Sequence, residues 1–203
     1  TGTNGKGSIC AMLYAMLKAG PLRVGLYTSP HLEHVRERIR VWDRGHDPMN
    51  DEHGSDWIAE TEFAALTDSL RPVLEEWREE SPEDLPTYFE MLTAMALLHF
   101  GRRGVEVAVL EVGLGGRLDA TNVVDQSVSI IGPVALDHTD VLGDDVASIA
   151  REKAGIIKPN QVVMTAQQPE EVMEVLRDAA AAQGVPLIVC GRELTANLER
   201  HGL

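Results

Sequence analysis

The chain begins with Thr1-Gly2-Thr3-Asn4-Gly5-Lys6-Gly7-Ser8, a glycine-rich stretch directly ahead of an amphipathic run from Ile9 to Lys18. Glycine lets the backbone turn so that consecutive N–H groups point into one concavity. A helix that starts there adds the positive end of its dipole, and Lys6 adds a full charge. The stretch therefore predicts a polyphosphate-binding loop, and with it a protein that uses ATP.

This loop departs from the commonest phosphate-loop pattern, in which a Ser or Thr directly follows the lysine and serves magnesium. Here Gly7 intervenes and the hydroxyl lies at Ser8. The alternative interpretation is a glycine-rich helix start with an exposed lysine. The strand that should precede such a loop is missing from the sequence, so we expect the chain to be a fragment.

Composition excludes several classes of protein. A net charge of −14 argues against nucleic-acid binding, which needs a basic stripe. No run approaches the roughly 18 apolar residues of a membrane span. Two cysteines form no disulfide framework, so we expect a cytoplasmic protein with buried thiols. A length of 203 residues suits one domain, covering 1–203.

The acidity is local. Residues 43–84 contain 14 acidic and three basic side chains, which contribute −11 of the net charge of −14. This pattern predicts a solvated excursion that takes no part in the chemistry of a site. Within it, residues 43–56 have the composition of a loop.

Apolar runs alternate with helical patterns, which predicts an α/β fold with a mostly parallel sheet flanked by helices on both faces. Two runs, Val105–Val112 and Val128–Ile131, are almost wholly apolar, as expected for strands covered on both faces. The other predicted strands are Val24–Tyr27, Val162–Thr165 and Leu187–Val189. The predicted helices are Lys6–Lys18, Trp57–Glu80, Tyr88–Arg103, Val146–Ile157 and Pro169–Gln183.

Ligands of open α/β sheets bind beyond the carboxyl ends of the strands, and Glu111 lies at such an end. Glu111 ends an apolar run that contains no other charge. Burial of a carboxylate there costs several kcal/mol of folding free energy unless the carboxylate is paired or bound to a metal. One interpretation is a buried Glu satisfied by backbone N–H groups. Magnesium binding is favoured, because a phosphate loop needs magnesium and magnesium binds carboxylate oxygens.

Other polar residues follow predicted strands, and each has an ordinary alternative. Ser29 precedes a proline and could ligate a cation or form a turn, and His138 could be a simple surface residue of a loop. Arg117 and Asp119, after a glycine-rich turn, could form a structural pair. Lys153 has the default interpretation of an exposed helix lysine.

Taken together, these segments resemble the ATP-binding domain of the folylpolyglutamate synthase/dihydrofolate synthase family, a branch of the Mur ligase superfamily. The matching stretches occur in the expected order over nearly the whole chain: TGTNGKGS (1–8), YTSPHL (27–32), TYFEMLTA (87–94), EVGLGGRLDATN (111–122), LDHTDVLG (136–143) and REKAGIIKP (151–159). The glycine at position 7 is typical of this branch, whereas Mur ligases proper more often have a hydroxyl residue there.

The resemblance implies a set of site residues. The ATP phosphates would be held by Thr3, Asn4, Gly5, Lys6, Gly7 and Ser8, and Mg²⁺ by Ser29, Glu111 and His138. Lys153 would be carbamylated and would help to hold a second metal, and Lys6, His138 and Lys153 would be catalytic. The pterin part of the substrate would lie among Thr87, Tyr88, Phe89, Leu118, Asp119 and Ala120.

The implied activity is an ATP-dependent ligase that joins dihydropteroate or a reduced folate to L-glutamate through an acyl phosphate. The resemblance also implies that this chain lacks the C-terminal domain, which in the family contacts the ribose, the adenine and the glutamate. The chain alone should therefore be inactive. We expect a monomer whose partners are small molecules. The alternatives are a Mur-type ligase acting on a UDP-linked muramyl peptide and a nucleotide-dependent binding module.

Overall fold

A computed structural model describes residues 1–43, 56–137 and 139–194 of the 203-residue chain. The chain groups into two compact units. Unit 1 contains residues 1–6 and those from 114 onward, and unit 2 contains residues 7–113. The single domain expected over 1–203 stays a prediction.

Helices and strands alternate along the described chain, as the sequence predicted. The helices are α1 (Lys6–Lys18), α2 (Glu60–Glu80), α3 (Tyr88–Arg103), α4 (Thr139–Leu142), α5 (Val146–Ala154) and α6 (Glu170–Gln183). The strands are β1 (Val24–Tyr27), β2 (Ile39–Trp42), β3 (Val107–Leu110), β4 (Val128–Ile131), β5 (Val162–Thr165) and β6 (Leu187–Val189). Short 3₁₀ turns cover Val35–Arg38 and Ala120–Val123.

The sheet of unit 2 has the strand order β2-β1-β3. Strand β1 pairs parallel with β3, so that Tyr27 lies opposite Leu110, and antiparallel with β2. The sheet of unit 1 has the order β4-β5-β6, and all of its described strand pairs are parallel. The described sheets are therefore mostly parallel, which confirms the predicted α/β class.

Helices cover both faces of the unit 2 sheet. On one face, Val24 and Leu26 of β1 pack with Cys10 and Tyr14 of α1. On the other, Tyr27 belongs to a larger core with the buried residues Ile39, Val41, Ile58, Leu66, Leu92, Met95, Ala96 and Phe100. The alternation follows from the strand period of two, which sends successive side chains to opposite faces. The resulting layers are helix, sheet and helix.

Four predicted elements differ from the structure in their bounds, and one of them is α6, which begins at Glu170 and not at Pro169. Helix α2 begins at Glu60 and not at Trp57, because the Ile58 N–H donates to the Ile39 carbonyl and extends the edge of the sheet. Helix α5 ends at Ala154, and the next residue, Gly155, approaches the backbone of Arg117 so closely that a Cβ would lie 2.7 Å from the Arg117 Cα. The run Val105–Val112 forms the shorter strand β3.

The prediction that β3 and β4 are covered on both faces was wrong. In β3, Ala108 is exposed and the other residues are half-buried, and in β4, Val128 is 51% exposed. Strands β3 and β4 each lie at the end of the strand order of their sheet. A strand is buried only where other elements cover its faces, so an apolar sequence does not guarantee its burial.

The acidic stretch is not wholly solvated either, although its loop residues 44–55 lie outside the described part of the chain. The Asp56 side chain is 9% exposed and pairs with Lys18 at 2.9 Å. Its carboxylate also accepts a 2.7 Å hydrogen bond from the Tyr14 hydroxyl. Asp43 forms an ion pair with Arg23. At least these two acids stabilise the fold.

None of the described helices is long and apolar enough to cross a membrane.

Candidate functional site

The start of the glycine-rich loop is tied to the end of β4. The Thr1 backbone nitrogen donates to the Ile130 carbonyl, the Gly132 N–H donates to the Thr1 carbonyl, and the Thr3 N–H donates to the Pro133 carbonyl. These bonds, all of 2.7 to 2.8 Å, continue the pattern of a strand pair into the loop. The loop therefore starts from a rigid edge of the unit 1 sheet.

A second contact comes from the Gln168 side chain, which the sequence analysis did not select. Its Oε1 accepts from the Val134 N–H at 3.1 Å, and its Nε2 donates to the Gly132 carbonyl at 2.9 Å. Gln168 thus holds the segment 132–134, to which Thr3 is bonded. Sequence offers no signal for this role, because a glutamine before a helix is common on protein surfaces.

The loop itself is open at its tip. Asn4, Gly5, Gly7 and Ser8 are exposed, and Gly5 has a φ of +77°, a left-handed conformation that side-chain-bearing residues rarely adopt. Lys6 folds back over the loop, and its Nζ donates to the Gly2 carbonyl at 3.1 Å. This arrangement, with free N–H groups at the start of the 13-residue helix α1, suits an anionic ligand.

Glu111 lies just beyond β3 in unit 2 and is 5% exposed. The Ser29 backbone N–H donates to its Oε2 at 3.0 Å, so one carboxylate oxygen has the backbone partner that the first interpretation expected. Its other oxygen faces position 7, where an ideal Cβ would lie 3.4 Å from Oε1. The structure therefore brings Glu111, the Ser29 backbone and Gly7 together.

Oε1 of Glu111 has no hydrogen-bond partner among the described residues and lies next to Gly7 of the glycine-rich loop. A carboxylate oxygen in this position suits a hard cation such as Mg²⁺. The third predicted ligand, His138, lies outside the described residues. Within the described ranges, no cluster of three or more His, Cys, Asp or Glu side chains is suited to hold a metal.

Lys153 is buried on α5, with 3% of its surface exposed, so the default interpretation of an exposed helix lysine was wrong. The pKa of Lys153 is lowered to about 8, mainly because the amine is buried. The nearby charge of Lys6 also lowers this pKa, whereas the charge of Asp137 raises it. An amine with this pKa is partly neutral near pH 7.5 and can act as a nucleophile.

Among the described residues, Arg117 forms its ion pair with Glu152, at 2.9 Å, and not with Asp119 as the sequence allowed. Asp119 caps the following 3₁₀ turn by accepting from the Thr121 N–H, and it also accepts from the Leu114 N–H at 3.1 Å. Asp119 therefore shapes the glycine-rich turn after β3.

The predicted substrate residues occupy both units. In unit 2, Thr87 caps α3 through a reciprocal pair of bonds with Glu90, Tyr88 is 60% exposed, and the Phe89 ring lies 5.9 Å from that of Tyr27. In unit 1, Leu118 is 80% exposed and Ala120 is half-buried. Their role at a pterin stays a prediction.

Comparison with known proteins shows similarity over nearly the whole chain. The chain is 41% identical over 200 residues to the dihydrofolate synthase/folylpolyglutamate synthase of Escherichia coli, which covers 98% of this chain and 42% of that protein. It is 40% identical over 191 residues to the mitochondrial folylpolyglutamate synthase of Cricetulus griseus, over 94% of this chain and 30% of that protein. No protein-family model matches the chain.

Solved structures of folylpolyglutamate synthases are also similar to this chain. An FPGS–AMPPCP complex superposes with a TM-score of 0.84 at 36% identity, over 94% of this chain and 44% of that one. The Mycobacterium tuberculosis folylpolyglutamate synthase complexed with ADP gives a TM-score of 0.81 at 38% identity, over 95% of this chain and 42% of that one. The chain thus spans less than half the length of these relatives.

Proposed function

We propose that this chain, whose curated homologues are folylpolyglutamate and dihydrofolate synthases, forms the ATP-binding part of a ligase. The ligase joins a carboxylate of dihydropteroate or a reduced folate to the amine of L-glutamate. The observation that carries this proposal is the proximity of Glu111 to Gly7, because it unites a metal-type carboxylate with a phosphate loop. The solved relatives that hold AMPPCP or ADP support the same nucleotide site.

In the proposed reaction, an oxygen of the substrate carboxylate attacks the γ-phosphorus of ATP, and the bond to the β-phosphate oxygen breaks to release ADP. The glutamate amine then attacks the acyl carbon, loses a proton and displaces phosphate. Most of the catalytic work in such transfers is positioning and stabilisation of charge. The chain supplies this through the loop residues Thr3 to Ser8.

Lys6 moves from the Gly2 carbonyl to the β- and γ-phosphate oxygens when ATP binds, where its charge offsets the negative charge that develops. Ser29, Glu111 and His138 would hold Mg²⁺, with the carboxylate of Glu111 kept in place by the Ser29 N–H. Magnesium, when bound, would polarise the phosphate oxygens. A neutral replacement at 111 should therefore remove activity.

Lys153 is proposed to carry a carbamate. The neutral Nζ attacks the carbon of CO₂, loses a proton and becomes an anionic group that can help to hold a second metal ion. The lowered pKa of about 8 favours this step, because roughly a quarter of the amine is neutral at pH 7.5. Mass spectrometry of the native protein should show an increase of about 44 Da, the mass of CO₂, that Lys153→Ala removes. A plain amine at saturating bicarbonate would refute this part.

Substrate contacts complete the proposal. Thr87, Tyr88 and Phe89 of unit 2 and Leu118, Asp119 and Ala120 of unit 1 are proposed to bind the pterin, for which the exposed Tyr88 ring and the exposed Leu118 side chain offer apolar surface. The isolated 203-residue chain should be inactive. The monomeric state and the cytoplasmic location stay predictions.

The decisive experiment is a coupled ADP-release assay on the full-length protein that carries this sequence. Dihydropteroate and tetrahydrofolate are tested separately, each with and without L-glutamate, and a UDP-linked muramyl peptide serves as the rival substrate. Glutamate-dependent ADP release with either pterin acid supports the proposal. Release only with the muramyl peptide, or nucleotide binding without turnover of any acid, would replace it with one of the two alternatives.

A further inference from the structure

Arg38 is a buried arginine at the end of the 3₁₀ turn that precedes β2, with 8% of its surface exposed. Its Nε donates a 2.9 Å hydrogen bond to Nδ1 of His31, a half-buried residue. This contact fixes one edge of the guanidinium and leaves the two terminal nitrogens for other partners. In the part of the chain that the structure describes, no oxygen accepts a hydrogen bond from them.

The adjacent carboxylate does not neutralise this cation. Glu37 is also buried, and its oxygens accept from the N–H groups of Leu32, Glu33 and His34. These backbone bonds, that of His34 first, lower the pKa of Glu37 to about 2. The carboxylate is thus used to shape the loop 32–34. The terminal nitrogens of Arg38 have no acceptor among the described residues and are not among the fully buried atoms without a partner, so they are open to an anionic ligand.

An aromatic ring lies beside the cation. The Arg38 guanidinium carbon is 5.6 Å from the centre of the Tyr88 ring, and Tyr88 is 60% exposed. The ring therefore retains free surface on which a planar group can stack. The Arg38 guanidinium can bind a carboxylate through two parallel hydrogen bonds, and the Tyr88 ring beside it can stack on an aromatic group. Together they suit an aromatic acid better than a bare phosphate.

We propose that Arg38 binds a carboxylate of the pterin-bearing acid while Tyr88 stacks on its aromatic part, with His31 orienting the guanidinium. This inference rests on the proposed function and adds a carboxylate-reading residue to it. It makes Arg38 a determinant of substrate specificity. Its contribution should appear only with ligands that carry the acid.

The test measures the affinity of the full-length protein for two probes by fluorescence titration: pteroic acid, and hydroxymethylpterin, which has the ring without the acid. Arg38→Lys keeps the charge but lacks the fork, and Arg38→Gln removes the charge. The control is Arg71→Gln, which removes an arginine that is 63% exposed on α2. Circular dichroism and thermal unfolding confirm that each variant is folded.

We expect the Kd for pteroic acid to rise about tenfold in Arg38→Lys and further in Arg38→Gln, with the Kd for hydroxymethylpterin and ATP unchanged. Inorganic phosphate should not compete. Equal weakening of both probes, no weakening of either, or competition by phosphate alone would overturn the inference while the proposed function stands. A wild-type protein that binds no pteroic acid would also overturn the inference, while the ADP-release assay decides separately on the proposed function.

Discussion

The Ser29 backbone N–H donates to Oε2 of Glu111 across 3.0 Å, although 82 residues separate them in the chain. Both residues follow parallel strands that are in register, with Tyr27 of β1 opposite Leu110 of β3. The carboxyl ends of parallel strands meet at one edge of a sheet, and this is where α/β proteins bind ligands. The bond therefore orients a buried carboxylate at the edge of the unit 2 sheet, next to Gly7 near the start of α1.

Replacement of Glu111 by glutamine should remove ligase activity with little effect on folding. The amide oxygen can still accept from Ser29, so the free energy of unfolding should change by less than about 1 kcal/mol. Loss of the charge at a metal ligand should lower kcat at least about 100-fold. Steady-state ADP release and urea unfolding measure the two effects. The control is Glu106→Gln, an exposed glutamate that accepts from the Arg23 N–H and should retain activity.

Lys153 should make stability depend on pH in alkaline solution. Its pKa is lowered from 10.5 to about 8 in the folded protein, so between these values the unfolded chain binds more protons. The free energy of unfolding should therefore rise from pH 8 to 10.5, by up to about 3 kcal/mol. Lys153→Met should abolish this rise, as measured by urea unfolding in buffer free of CO₂.

The matched control for that series is Arg151→Gln, which changes an exposed cation on the same helix and should leave the slope intact. If the free energy of unfolding rises with pH equally in Lys153→Met and the wild type, the buried Lys153 does not cause the rise.

Asp56 should stabilise unit 2 through its pairs with Tyr14 and Lys18. Asp56→Asn should destabilise the protein by about 1 to 3 kcal/mol, because it weakens two short bonds in a buried place. Burial opposes the ionisation of Asp56, yet bonds from Lys18 and Tyr14 outweigh it and lower its pKa. Its contribution is therefore present above pH 3.8 and is lost as the pH falls through the lower pKa of the folded state.

A double-mutant cycle with Tyr14→Phe measures this contact. We expect a coupling energy of about 1 kcal/mol at pH 7 that vanishes in strong acid. Additive effects at pH 7 would contradict the assignment.

Gln168 should act on nucleotide binding through the phosphate loop. Gln168→Ala removes its bonds to Gly132 and Val134, so the KM for ATP should rise about five- to tenfold with kcat less affected. Gln168→Glu keeps the acceptor for Val134 and should recover part of the affinity. Parallel losses of kcat and stability, without change in the KM for ATP, would indicate a merely structural role.

Local patterns predicted most of the fold. Strands β1, β4, β5 and β6 and helices α1 and α3 have the predicted bounds, since apolar runs, glycine stops and caps mark them in the sequence. Strand β2 was missed because Arg40 interrupts its apolar residues, whereas none of the other described strands contains a charged residue. The apolar runs could not reveal the order of the described strands, because strand order depends on contacts distant in sequence.

The sequence by itself determined the α/β class and predicted a phosphate loop and a role for Glu111, because glycine spacing, helix periodicity and an isolated charge are local properties. Only the tertiary structure decided that Glu111 meets the Ser29 N–H, that Lys153 is buried and that Arg117 pairs with Glu152 and not with Asp119. It also revealed Arg38 as a buried cation without a carboxylate partner among the described residues. Burial and pairing arise from residues far apart in the chain, which no local pattern records.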